Sequence, residues 1–147
     1  MRRVARILMA SMVVLAAASI TLAAGKGSGG WGMGGAYQRM FNPATVETVS
    51  GEVQKVEKIA PLRQMGAGIH LVVKTDKEMI PVHLGPEWFI QRLDAKVGKG
   101  DRIEVSGSRI TLEGKPVIIA SEVRKGDETL LLRDNSGVPV WSGWRRK

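Results

Sequence analysis

The segment from Gly68 to Trp88, GIHLVVKTDKEMIPVHLGPEW, constrains the fold most, because two apolar runs flank a short polar turn. If residues 75–78 connect a β-hairpin, each position of the first run faces a defined position of the second. Three apolar pairs then share one side: Ile69 with Leu84, Leu71 with Val82, and Val73 with Ile80. The other side carries Val72 with Pro81, Lys74 with Met79, and His70 with His83. We therefore expect the only two histidines of the chain to meet on the face away from the core.

A long strand precedes this hairpin. A β-branched run begins at Thr45, and Val49 and Val53 keep the strand period of two before Val56 breaks it. Gly51 lies near this change of phase. We therefore predict a bulge or a strong bend, by which the strand curls around a small barrel.

One helix and two or three strands follow the hairpin. Proline suits the first helical turn, so the sequence predicts a short helix over residues 86–94. A fourth strand then carries a glycine at position 107, where a change of phase predicts that Ile110 and Leu112 point inward. Further strands are predicted at residues 116–126 and 129–134.

The order of three strands, a helix and two or three strands resembles the OB-fold. We predict an all-β domain with one short helix, a small five- to six-stranded OB-fold-like Greek-key barrel. A β-sandwich is the alternative. In the OB-fold, the outer face of the second and third strands is the usual binding surface, and this is the face on which His70 and His83 are expected.

The first 24 residues have the pattern of an export signal. Arg2, Arg3 and Arg6 form a basic start, and residues 7–24 are uncharged, mostly apolar and end in small side chains. Cleavage would leave a periplasmic or otherwise exported protein, whereas an uncleaved segment would anchor it to the inner membrane. Residues 25–36 are rich in glycine and predict a flexible tether before a single domain at 37–147.

The charge balance is basic, and the chain has no cysteine. It contains 22 Lys and Arg against 14 Asp and Glu, and removal of the three signal arginines leaves 19 against 14. This excess favours anionic partners such as lipid headgroups, acidic polymers or nucleic acid, without selecting among them. The absence of cysteine excludes thiolate metal sites, disulfides and covalent haem.

Five segments resemble the domain of the MamS/MamX magnetosome protein family: FNPATVETVSGEV, GIHLVVKT, IPVHLGPEWF, GDRIEVSGSRI and GVPVWSGWRR. The likeness spans residues 37–146. It implies an exported OB-like domain, with a supporting role in iron-mineral maturation in the magnetosome members. MamX carries haem-attachment motifs, which this chain lacks, so the likeness does not extend to a redox role. In layout alone, the chain also resembles exported bacterial OB-fold stress proteins that bind small ligands or cationic peptides.

The expected histidine pair is the candidate metal site. Neutral imidazoles of His70 and His83 would bind a divalent transition metal, with Met79, Glu87 or water completing the shell. The alternative is a pair that only forms hydrogen bonds and whose mutual repulsion makes the surface pH-sensitive just below neutral. For a small ligand the candidates are Lys74, Met79 and Trp88, the last as an aromatic wall unless its indole belongs to the core.

A catalytic role has little support. No serine lies in a nucleophile-elbow context, and the acidic residues occupy turns or solvent-facing positions. We expect a non-enzymatic module that binds a small ligand or metal ion, or alternatively an interaction domain that contacts an envelope protein or a membrane surface. The tail at residues 141–147, WSGWRRK, would either bring cations and tryptophans to acidic lipid or close the barrel edge. Binding of nucleic acid or another anionic polymer ranks third, because the strand face lacks stacked aromatic residues.

Overall fold

The structure, a computed structural model, describes residues 29–142 and consists mainly of six β-strands. These are β1 (Val46–Ile59), β2 (Gly68–Lys74), β3 (Met79–Pro86), β4 (Arg102–Leu112), β5 (Lys115–Lys125) and β6 (Glu128–Leu131). A helical turn, α1 (Glu87–Ile90), follows β3, and short 3-10 helices at Gln38–Met40 and Pro43–Thr45 precede β1. The predicted export signal lies outside the described residues. Within residues 29–142, no helix is long and apolar enough to cross a membrane.

The strands form one sheet that closes into a ring. Its order is β3-β2-β1-β4-β5-β6, with antiparallel neighbours. In addition, β3 pairs in parallel with β5, where Val82 lies opposite Ile118 and His83 lies opposite Ile119. The first five strands therefore form a closed circuit, and β6 extends it along the second half of β5. This is the OB-like connectivity predicted from the sequence, and the two-sheet sandwich is wrong.

Apolar side chains from alternate strand positions fill the interior of the ring. The most deeply buried of those from β1 to β5, each at most 4 % exposed, include Val53, Leu71, Val73, Ile80, Val82, Ile103, Val105 and Ile118. Gly51 lets the end of β2 approach β1 closely, because a side chain there would collide with the Lys74 carbonyl and with Val73. The irregularity predicted in β1 lies just beyond this glycine, where the ladder with β2 skips a residue between Val53 and Lys55.

The hairpin register agrees with the sequence except at one end. His70 pairs with His83 and Lys74 with Met79, as expected. Ile69, however, faces Gly85 instead of Leu84, because a bulge interrupts the ladder between Ile69 and His70. Alternation of side chains alone does not reveal such an inserted residue.

The helix and the phase of β4 also differ from the sequence predictions. The helix is shorter than residues 86–94, because after Ile90 the backbone continues in turns with hydrogen bonds to the third preceding residue. In β4, Arg109 pairs with Ile118 and so lies on the inward-facing side of the strand, near its end, where its side chain is still 32 % exposed. Ile110 and Leu112 lie on the other side. A bulge interrupts the β4–β5 ladder between Ser106 and Gly107, and its extra residue, Ser121, lies in β5 and not in β4.

Candidate functional site

His70 and His83 stack on each other, but they are buried. Their ring centroids are 3.8 Å apart and their planes differ by 11°. The residues are only 6 % and 2 % exposed. The prediction that they meet on the outer face of the ring is confirmed, whereas the expectation that this part of the face is open to solvent is wrong.

Segments from both ends of the described chain cover the histidines. Tyr37 stacks on His83, and a hydrogen bond of 2.9 Å joins its hydroxyl to Nδ1 of that histidine. Trp31 lies against Gly68, and Trp141 lies against Gly85. Only glycine allows this close approach, because a side chain at either position would collide with the indole. We call Trp31, Tyr37 and Trp141 the aromatic cover.

The aromatic cover is itself tied together. The indole N–H of Trp141 donates a hydrogen bond of 2.9 Å to the carbonyl of Trp31. Six rings then follow one another with neighbouring centroids 3.8 to 6.4 Å apart: Phe89, Trp141, Trp31, Tyr37, His83 and His70. Trp31 is only 1 % exposed and packs on the ring, while the tether over residues 25–36 stays a prediction. Burial of Trp141 favours the alternative in which the tail packs on the barrel, while residues 143–147 lie outside the described residues.

Arg133 is a buried cation beneath the aromatic cover. Its Nη1 donates hydrogen bonds to the carbonyls of Leu84 in β3, at 3.1 Å, and Ala120 in β5, at 2.5 Å. Leu84 and Ala120 directly follow His83 and Ile119, the last paired residues of β3 and β5. We call this parallel pairing the seam. The Arg133 guanidinium thus links the two strands by hydrogen bonds where their backbone pairing ends. Its plane also lies over Trp141, 4.9 Å from the ring centroid. The sequence analysis missed Arg133, and its only signal is a lone cation after an apolar run.

Burial lowers the pKa of both histidines. The pKa of His70 falls to about 4, because burial outweighs the opposing effect of Glu57 on the neighbouring strand. The pKa of His83 falls to about 3 through burial, with further lowering by His70 and Arg133. Both rings are therefore neutral at neutral pH, and the predicted titration just below neutral is wrong.

The histidine pair does not have the geometry of a metal chelate. An imidazole binds a metal in the plane of its ring, so two stacked rings direct their nitrogens along parallel planes and not towards one point. Of the two side chains predicted to complete the shell, Met79 lies at the opposite end of the hairpin, and Glu87 pairs with Lys58 at 3.0 Å. Nε2 of His70 is the only buried side-chain nitrogen or oxygen of residues 29–142 that lacks a hydrogen-bond partner. In the same range, no three His, Asp or Glu residues are placed to hold a metal ion.

The other predicted site residues lie in two places. Lys74 and Met79 face each other beside the hairpin turn, and both are exposed. Trp88 lies in α1 at the opposite end of the hairpin, half-buried against the core. Its ring meets Phe89 edge-on at 6.2 Å, and the Arg92 guanidinium lies 5.7 Å from its centroid. Trp88 therefore packs against the core, which was the alternative to an aromatic wall for a ligand, whereas Lys74 and Met79 are accessible.

A groove of about 860 Å³ opens beside the hairpin turn. We call it the hairpin groove; it is lined by residues 47–50 and Glu52 of β1, residues 74–78, Arg102 and Arg109. Arg109 bridges its walls, because Nη2 contacts Glu78 at 2.5 Å and Nε donates to Glu47. The hydrogen bond from Arg109 lowers the pKa of Glu78. The sequence analysis found only Lys74 here, because the lining comes from three separate segments.

Comparison with curated proteins finds no match to this chain. The model of the MamS/MamX magnetosome protein family matches residues 45–130, which is more than half of the chain. The match includes the paired histidines and the whole hairpin groove, whereas the aromatic cover lies outside it. It confirms the likeness noted in the sequence, over a shorter range. The chain therefore belongs to the MamS/MamX magnetosome protein family.

Proposed function

We propose that this MamS/MamX domain is exported, is not an enzyme, and binds a partner protein of the cell envelope through the hairpin groove. The observation that carries the proposal is the groove itself, a concave site beside the hairpin turn with a volume of about 860 Å³. The predicted site around His70 and His83 is less suited to binding, because the protein's own aromatic cover occupies it. Lys74 remains a candidate contact residue, since it lines the groove.

The chemistry of the groove favours a protein over a small molecule. Small-molecule pockets are usually enclosed and mostly apolar, with a few polar groups. The hairpin groove is open and lined mainly by charged and hydroxyl side chains. Within residues 29–142, Lys74, Lys77 and Arg102 form no ion pair, so they are available to a partner's carboxylates. Charged rims of this kind are typical of protein interfaces.

The state of the potential acid and base groups supports a binding role. Both histidines are buried beneath the aromatic cover and are neutral at neutral pH. In the groove, Glu47 and Glu78 share the guanidinium of Arg109, and the hydrogen bond from Arg109 lowers the pKa of Glu78. A general acid–base catalyst instead needs a group whose pKa lies near the working pH.

Site-specific photocrosslinking in the native host tests this proposal. A photoreactive amino acid is placed at Lys77 in the groove and, as the matched control, at the exposed Lys99 outside the groove lining. We expect a discrete envelope-protein adduct from position 77 that position 99 does not give. Charge reversal at Lys74 and Arg102 should reduce that adduct. Identical adducts from both positions would show that the groove is not the binding surface.

A further inference from the structure

One half of β1 has an open backbone edge. β1 pairs with β4 from Val46 to Glu52, but it pairs with β2 only from Glu52 to Ile59. Within the part of the chain that the structure describes, residues 46–51 thus have no strand partner on the side of β2. This edge is about 20 Å long, at roughly 3.3 Å per residue. Residues 47–50 also line the hairpin groove, so the open edge borders it.

The polar backbone groups of this edge point into the groove. The N–H of Val53 donates to the Asp101 carbonyl at 2.9 Å, and its own carbonyl accepts from the N–H of Gly100 at 2.8 Å. Val53 therefore directs both groups towards the β4 side. Successive residues of an antiparallel strand direct these groups to opposite sides. Through the regular β1–β4 ladder, Thr48 and Ser50 consequently direct theirs into the groove.

The open edge lacks the usual protection against strand pairing. Natural edge strands are commonly blocked by lysine, proline or a bulge. The paired half of β1 carries the exposed Lys55 and Lys58, whereas the exposed residues of the open half are Val46, Thr48 and Ser50. The turn at residues 75–78 forms the opposite wall of the groove. This arrangement suits one extended chain between the two walls better than the sheet of a second copy.

The charges beside the edge indicate which chain would fit. Arg109 lies between Glu47 and Glu78, so two carboxylates share one guanidinium and leave a net negative charge. Side chains of an added strand alternate between its two faces. Those on the face of Glu47 would meet this negative charge. Those on the other face would meet the uncharged Thr48 and Ser50 and, at the end of the open half, the cations Lys74 and Arg102, which are the strand partners of Glu52 on that face.

We propose that the open half of β1 binds an extended segment of the partner protein by strand addition, and that this segment carries lysine or arginine at alternate positions. This inference rests on the proposed function and specifies the partner's conformation and chemistry. Backbone hydrogen bonds to Thr48 and Ser50 supply the docking, and the carboxylates of Glu47 and Glu78 select the basic side chains.

The test is selection of a phage-displayed library of random octapeptides on the full chain. Enriched peptides are then measured against Ser50→Pro, with Ser50→Ala as the matched control. Proline removes the groove-facing N–H but is tolerated at an open edge, whereas alanine keeps the N–H. We expect alternating basic residues in the enriched peptides, unchanged binding to Ser50→Ala, and about ten-fold weaker binding to Ser50→Pro. Glu47→Gln should also weaken the binding.

A second measurement needs no protein variant. N-methylation of alternate backbone amides in an enriched peptide, on the edge that pairs with β1, should abolish its binding to the wild-type chain. If Ser50→Pro and the methylated peptide both leave affinity unchanged, strand addition is wrong, while groove binding survives if Glu47→Gln still weakens the peptide. If no peptide is enriched on the wild-type chain, both strand addition and the proposed function are contradicted.

Discussion

Lowering the pH from 7 to 5 should destabilise this protein through His70 and His83. An unfolded histidine has a pKa near 6.5, whereas the folded values are about 4 and about 3. As the pH falls below 6.5, the unfolded chain takes up protons that the folded protein does not bind. The contribution of the pair is thus fully present above pH 6.5 and is lost progressively as the pH falls towards the folded values.

The size of the effect follows from these pKa values. Between pH 6.5 and pH 5 the unfolded chain gains up to one proton per histidine, and each pH unit is worth about 1.4 kcal/mol per group. Over about 1.5 pH units, His70 and His83 therefore each remove about 2 kcal/mol of unfolding free energy. At pH 5 the carboxylates of Glu78 and Asp101 remain largely ionised, because their pKa values are lowered below the ordinary range.

Urea unfolding at pH 7, 6 and 5 measures this loss. Fluorescence is a suitable signal, because Trp31 and Trp141 are buried in the folded protein. The wild-type chain should lose about 4 kcal/mol between pH 7 and pH 5, and His70→Phe, which keeps a stacked ring, should lose about 2. Removing His83 requires Tyr37→Phe as well, since the tyrosine hydroxyl would otherwise lose its partner. Equal losses in the wild type and His70→Phe, or no loss in the wild type, would refute the reasoning.

Three further predictions concern the seam, the aromatic cover and metal binding. Arg133→Met should lower the unfolding free energy by about 3 kcal/mol, because two carbonyls between β3 and β5 lose a charged donor; a loss below about 1 kcal/mol would contradict this role. Gly68→Ala should cost about 2 kcal/mol by displacing a buried indole, whereas Gly98→Ala, with open space around it, should be near neutral in the same denaturation assay. Calorimetric titration with zinc, copper and iron salts should show no micromolar site that both His70→Ala and His83→Ala abolish; such a site would show that the stacked rings rearrange to chelate.

Local patterns predicted the hairpin well, because its cross-strand contacts join residues close in sequence. Alternation of apolar side chains placed His70 opposite His83 and Lys74 opposite Met79, as the structure has them. The same reasoning failed at Ile69, where a bulge inserts one residue, and in β4, where the extra residue belongs to the neighbouring strand. A bulge changes the partner of a residue without changing the apolar pattern on which the prediction depends.

The glycine-rich composition around Trp31 predicted a tether, because few of its residues bury apolar area. The Trp31 indole is nevertheless buried against the ring, and its backbone carbonyl accepts a hydrogen bond from Trp141. The available signal lay elsewhere, in the strand glycines Gly68 and Gly85, since glycine inside a strand often marks the close approach of another group. No local pattern connects these glycines with Trp31 and Trp141, because the contacts join residues far apart in the chain.

By itself, the sequence determined the succession of strands and helix along the chain, the hairpin pairing and the likeness to the MamS/MamX family, because these depend on local alternation and on contiguous motifs. Only the tertiary structure decided that the histidine face is covered and that an open edge of β1 borders the hairpin groove. The cover joins Trp31 to Trp141, which are 110 residues apart, and the groove combines β1, the hairpin turn and β4. Such contacts depend on the closure of the ring, which brings distant segments to one surface.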